Sequence, residues 1–210
     1  MLRFRPRRPA VSVAALFWVI GLMVLVAGCS RSGSGPNASP QITSSTAKRA
    51  VIATESGDIE LEFYSAESPK AVENFRLLAE RGFYNGLTFH RIVKGFMIQG
   101  GDPLGNGKGG ESAWGGFFED NIDRSSALYR RNYLRGVVAM ANMGPNTNGS
   151  QFFIMHQDYP LPPQYVIFGR VTRGMEVVDT LAETPTQRGS DGGMSQPAKA
   201  PVIKRVTIVP

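Results

Sequence analysis

The chain has 210 residues, 42% of them hydrophobic and 19% charged, which excludes a disordered polypeptide and allows one well-buried domain with appendages. Its formal charge of +6 invites a nucleic-acid partner, yet no Asp or Glu precedes Glu55, and from Ala50 onward 16 basic residues face 17 acidic ones. A near-neutral domain lacks the basic footprint that a phosphate backbone requires, so no nucleic acid is expected among its partners.

Residues 1–28 read as an export signal, with Arg3, Arg5, Arg7 and Arg8 ahead of the apolar run "VSVAALFWVIGLMVLVAG". The run ends in "LVAGC", which resembles the lipobox of bacterial lipoproteins, where small residues precede a cysteine that is lipidated and becomes the new N-terminus. Cys29 is the one cysteine of the chain, so no disulfide can form within it. An uncleaved membrane anchor, or an incidental cysteine after an ordinary signal, are the alternatives. Both anchored readings set the domain at a membrane surface of the bacterial cell envelope, and the N-terminal arginines put it on the extracytoplasmic side. Residues 29–49 are rich in Ser, Gly, Pro, Asn and Thr and cannot bury enough apolar surface to fold. A flexible chain of about twenty residues reaches roughly 25 Å, which suits a tether.

Residues 50–210 form the domain. "AVIATESGDIELEFY" predicts a β-hairpin turning at "ESGD". "SPKAVENFRLLAERG" predicts a helix with Ser68 as N-cap, Pro69 at its first position, Gly82 past its end, and Val72, Phe75, Leu78 and Ala79 on one face. From Phe83 to Gln99 the period shifts toward two, and a glycine-rich loop follows. "GVVAMANM", "SQFFIMH" and "YVIFGRV" predict short strands, and "GMEVVDTLA" has helical spacing. A loop is expected from Thr184 to Pro201, before the closing strand "VIKRVTIV". Short strands with two helices and no βαβ alternation point to a mainly β, antiparallel barrel or sandwich.

Several chemistries are excluded. With His90 and His156 as the two histidines and no cysteine in the domain, a metal site built from several Cys or His ligands is not expected. The glycines from Gly105 to Gly110 have dinucleotide-loop spacing but open no helix, and Gly107-Lys108 is followed by Gly109 where a phosphate loop needs Ser or Thr. No G-x-S-x-G elbow occurs. His90 points to the opposite face of its strand from Arg91 and reads as structural. What remains is "FHRIVKGFMIQGGD", where Arg91 stands in an apolar run. Alternation puts Arg91 with Phe89 and Val93, and Met97 with Gln99; it does not place Phe96, because Gly95 interrupts the register. Alone, such an arginine reads as a solvated strand residue.

Two segments, "FHRIVKGFMIQGGD" and "MANMGPNTNGSQFFI", together resemble the signature segments of the cyclophilin-type peptidyl-prolyl isomerases, and the likeness extends over residues 50–210. The resemblance implies a closed eight-stranded antiparallel β-barrel capped by two helices, with a peptide site on one outer face. It implies an enzyme that speeds rotation about X-Pro bonds without cofactor or metal, acting as a monomer on proline-containing polypeptides. In this context those are exported proteins whose folding it assists; a proline-peptide-binding chaperone or scaffold is the alternative. Carried over by position, Arg91 matches the catalytic arginine, and Phe96, Met97, Phe153 and Leu161 match the wall of the proline pocket. Gln99, Ala141, Asn142 and Gln151 match the groove for the peptide backbone, and Tyr165 falls where many members have histidine. Pro160 stands where many members have the tryptophan that bears on cyclosporin affinity.

Overall fold

The computed structural model describes residues 48–210. The export signal, Cys29 and nearly all of the tether lie outside these residues. Strands β1 (Arg49–Thr54) and β2 (Asp58–Phe63) form the expected hairpin, each alternating between solvent and core so that Ala50, Ile52, Ile59 and Leu61 are fully buried. Helix α1 (Pro69–Glu80) then buries Val72, Phe75, Leu78 and Ala79. Its Phe75 ring stacks on Tyr84 at 4.9 Å and meets the edge of Phe152 at 5.3 Å. Burial of one such ring is worth about 1.5–3 kcal/mol. Ser68 occupies the N-cap position without capping: its hydroxyl donates to the Ile167 carbonyl at 2.6 Å, tying the helix start to the sheet.

Strands β3 (Arg91–Val93) and β4 (Met97–Gly100) pair across a tight turn in which Gly95 adopts φ +81°, a conformation a side chain would oppose. The one-turn helix α2 (Ala127–Arg130) precedes β5 (Val137–Met140), β6 (Phe152–Met155) and β7 (Ile167–Arg173). Helix α3 (Met175–Ala182) follows, with Val177, Val178, Leu181 and Ala182 buried. The stretch expected as a loop contains a second small sheet, β8 (Thr186–Arg188) with β9 (Met194–Pro197), and β10 (Ile203–Val209) ends the fold.

The main sheet is antiparallel and eight-stranded, in the order β10-β1-β2-β7-β5-β6-β4-β3. It curls without closing into the barrel expected from the sequence. β10 and β3 are its edges, and the chain leading into β3 meets the start of β10 through the isolated bridge Thr88–Val202 and the backbone hydrogen bonds Gly86 N–H to Ile203 O, Ile203 N–H to Leu87 O and Phe89 N–H to Pro201 O, at 2.8, 2.8 and 2.9 Å. β9 of the second small sheet packs beside β3.

Strands β4, β5 and β6 are buried on both faces. Ile98, Val138, Phe152 and Ile154 point into the main core, while Met97, Ala139, Phe153 and Met155 point outward into a second apolar cluster with Tyr133 and Ile167. That is why "VVAM" and "FFIM" read as unbroken apolar runs. The second cluster carries the candidate site.

Candidate active site

Arg91 and Gln99 are directly opposed in the β3–β4 ladder, as are Val93 and Met97. Phe89 does not share their face: it precedes the strand and is fully buried in the main core. The turn at Gly95 brings Phe96 to the outer face, where its ring lies 4.6 Å from Tyr159. On β6, Phe153 faces outward and meets Tyr165 edge-on at 5.4 Å. The Tyr165 backbone is locked in turn by Tyr133, whose hydroxyl donates to its carbonyl at 2.8 Å and accepts from its amide at 3.1 Å.

These side chains enclose an open cavity of about 410 Å³ lined by Arg91, Phe96, Met97, Gln99, Ala141, Asn142, Phe153, Leu161 and Tyr165, together with Tyr159 and Asp191. Nine of the predicted site residues thus meet in one place. Gln151 lies beside them: it lines a smaller adjoining cavity of about 40 Å³ that shares Gln99, Ala141 and Asn142. The amide side chains are fixed before anything binds. Gln99 Nε2 donates to Gln151 Oε1 at 2.9 Å, Gln151 Nε2 donates to the Gly109 carbonyl at 2.8 Å, and Asn142 Nδ2 donates to the Gln164 carbonyl at 2.8 Å. Asp102 shapes the glycine-rich loop, its carboxylate accepting from the amides of Leu104, Asn106 and Gly107.

Arg91 is the cation of this cavity, about one-third exposed. Its Nη1 reaches Met97 Sδ at 3.8 Å and Gln99 Oε1 at 3.5 Å, both loose contacts, while its Nε donates to Asp191 Oδ2 at 2.8 Å. Asp191 is held well below the usual carboxylate range, at about 2, first by the Ser195 hydroxyl and then by Arg91. His90 is buried beside this group, and desolvation lowers its pKa from 6.5. A guanidinium on one side and a wall of aromatic and thioether groups on the other suit a small apolar ring joined to a polarisable amide.

Two lining residues escape sequence reasoning. Tyr159 sits in a proline-rich loop with no periodicity, next to the exposed Pro160, which takes no part in the cavity. Asp191 lies at the tip of the β8–β9 hairpin, within "GSDGG", where nothing but turn composition is legible.

Comparison with known proteins agrees with this geometry. The model of the cyclophilin type peptidyl-prolyl cis-trans isomerase family matches residues 49–208. The chain belongs to this cyclophilin family. It is 49% identical over 156 residues to a peptidyl-prolyl cis-trans isomerase of Arabidopsis thaliana, covering 74% of this chain and 92% of that protein. It is 50% identical over 133 residues to peptidyl-prolyl cis-trans isomerase-like 3 of Gallus gallus, covering 63% of this chain and 80% of that one. A similar match to a mouse peptidylprolyl isomerase domain and WD repeat-containing protein spans 22% of that longer protein. Among solved structures, a cyclophilin type isomerase of Cryptosporidium parvum superposes with a TM-score of 0.70 at 40% identity, covering 78% of this chain and 98% of that one. As a member of the family, this cyclophilin is a peptidyl-prolyl cis-trans isomerase.

Proposed function

We propose that the cavity around Arg91 takes the proline ring of an X-Pro segment and that Arg91 is the catalytic residue. The observation that carries this is the pairing of one guanidinium with the apolar wall of Phe96, Met97, Phe153 and Leu161 in a single cavity. The X-Pro bond needs no nucleophile or cofactor to rotate; it needs loss of amide resonance across a barrier of about 18–20 kcal/mol. In the twisted state the prolyl nitrogen regains its lone pair, and donors of Arg91 bind that state better than either planar one. Gln99, Gln151, Asn142 and the Ala141 backbone hold the flanking chain so that one end stays fixed while the other turns. A 10⁵-fold acceleration corresponds to about 7 kcal/mol of such selective binding, within reach of charge-assisted hydrogen bonds in a partly dry cavity.

The substrates in this reading are exported polypeptides, met by a monomeric enzyme tethered to an envelope membrane through lipidated Cys29. The basic N-terminal flank, the apolar run and the "LVAGC" sequence support it. The test of the site is exchange NMR on an X-Pro peptide. Arg91→Ala is expected to slow catalysed exchange on the order of 10²–10³-fold while leaving peptide binding and the melting temperature nearly unchanged. Equal rates for wild type and variant overturn the assignment, and binding without acceleration by either protein marks a scaffold. For the tether, Cys29→Ala should abolish incorporation of labelled fatty acid; label that persists removes the lipid anchor.

A further inference from the structure

The ladder strands hold Arg91 weakly. Its contacts to Gln99 and Met97, at 3.5 and 3.8 Å, are at the outer limit of useful hydrogen bonding, and its Nη2 has no partner among the described residues. The short bond comes from outside the main sheet, at 2.8 Å from Nε to Asp191 Oδ2. Asp191 is itself built in. Its other oxygen, Oδ1, accepts from the Ser195 hydroxyl at 2.6 Å and from the Gly193 amide at 3.0 Å. Ser195 is 3% exposed, and the hairpin tip is closed by the Gly189 amide on the Gly193 carbonyl at 2.8 Å. The strand carrying Ser195 packs beside the strand carrying Arg91.

We infer that Asp191 is a positioning residue, which fixes the Arg91 guanidinium through Nε and leaves Nη2, with the loosely held Nη1, to turn to the twisted amide. This rests on the reading of Arg91 as the group that meets the reacting bond. A free arginine side chain samples many rotamers, and holding it before substrate arrives removes that loss from the step in which the amide twists. Asp191 stands at the rim of the cavity, but as a positioning residue it acts through Arg91, so its removal should fall on turnover and not on grip. It must also have no effect once Arg91 is gone.

The experiment is a double-mutant cycle with Arg91→Ala and Asp191→Ala, read by exchange NMR at saturating peptide, with peptide Kd and the Arg91 Nε–H resonance measured in parallel. Asp191→Ala is expected to slow exchange about tenfold, or ~1.4 kcal/mol of barrier, with Kd within about twofold and the Nε–H signal lost to solvent exchange. Asp191→Asn keeps the shape of the tip but offers one acceptor oxygen where Asp191 uses two, so it should restore part of the rate at most. In the Arg91→Ala background, Asp191→Ala should change nothing further. The inference is overturned if Asp191→Ala leaves exchange unchanged or faster, or if the same tenfold loss persists without Arg91. An ordinary loss for Arg91→Ala with no effect at Asp191 removes this inference alone; no loss for Arg91→Ala removes the catalytic assignment and the inference with it.

Discussion

Phe152 and Phe153 are consecutive residues of one strand, both nearly devoid of solvent contact, and they live in different environments. Phe152 points inward and meets the rings of Phe75, Tyr84 and Phe89 at 5.3, 5.6 and 6.3 Å, all edge-on. Phe153 points outward, with Tyr165 and Tyr133 on its flanks and the 410 Å³ cavity in front of it. The same pleat that closes a core on one side therefore builds a cavity wall on the other. The inner face is packed on all sides; the outer face keeps one side open, and its neighbours include Met97, Gln99 and Arg91 in place of further aliphatics.

Substitution of each phenylalanine should separate the two roles. Phe152→Ala removes a ring packed on all sides, and urea unfolding should show a loss of about 3–5 kcal/mol. Phe153→Ala should cost less than Phe152→Ala, since part of what borders its ring is the cavity and not packed side chains. It should, however, weaken binding of an X-Pro peptide by about tenfold or more in titration calorimetry. If Phe153→Ala costs as much stability as Phe152→Ala and leaves peptide affinity intact, the outer cluster is a second core and not a wall.

Legibility in the sequence followed the same division. The inner face, α1 and the β1–β2 hairpin announced themselves through period, because burial on one side forces alternation or a helical stripe. The outer face did not, since strands buried on both sides lose that contrast, and Phe96 owes its place to the turn at Gly95. Arg91 and the amide residues became legible only as parts of two long segments with a family likeness. The β8–β9 hairpin was read as a loop because its first strand, Thr186–Arg188, is three polar, mostly exposed residues with no apolar beat. Its second strand buries Ser195 and Pro197 and packs beside β3, a tertiary fact that no local pattern encodes.

Ser68 tests the seam between helix and sheet. Its hydroxyl serves the Ile167 carbonyl instead of capping α1, so Ser68→Ala should cost the price of an unmet buried acceptor, about 1–2 kcal/mol in urea, and leave helix content by circular dichroism unaltered. A loss of helicity with no loss of global stability would mean that the cap, and not the tie to β7, is what the hydroxyl provides.

The smallest expected effect concerns His90, behind the site. Burial disfavours its charged form, Asp102 favours it and Arg91 opposes it, with the net result below the ordinary 6.5. The unfolded chain therefore binds more protons than the folded one just under that value, so stability is full above about pH 6.5 and declines as pH falls toward the lowered folded pKa. One proton sets the ceiling of this slope at about 1.4 kcal/mol per pH unit. Glu119 and Asp191, both held at about 2, contribute stability that is lost only at lower pH, as those carboxylates take up protons. Urea unfolding at pH 5, 6 and 7 should show the decline in the wild-type protein and its absence in His90→Gln. An identical slope in the variant would assign the pH dependence to another group and leave His90 charged or solvated in the fold.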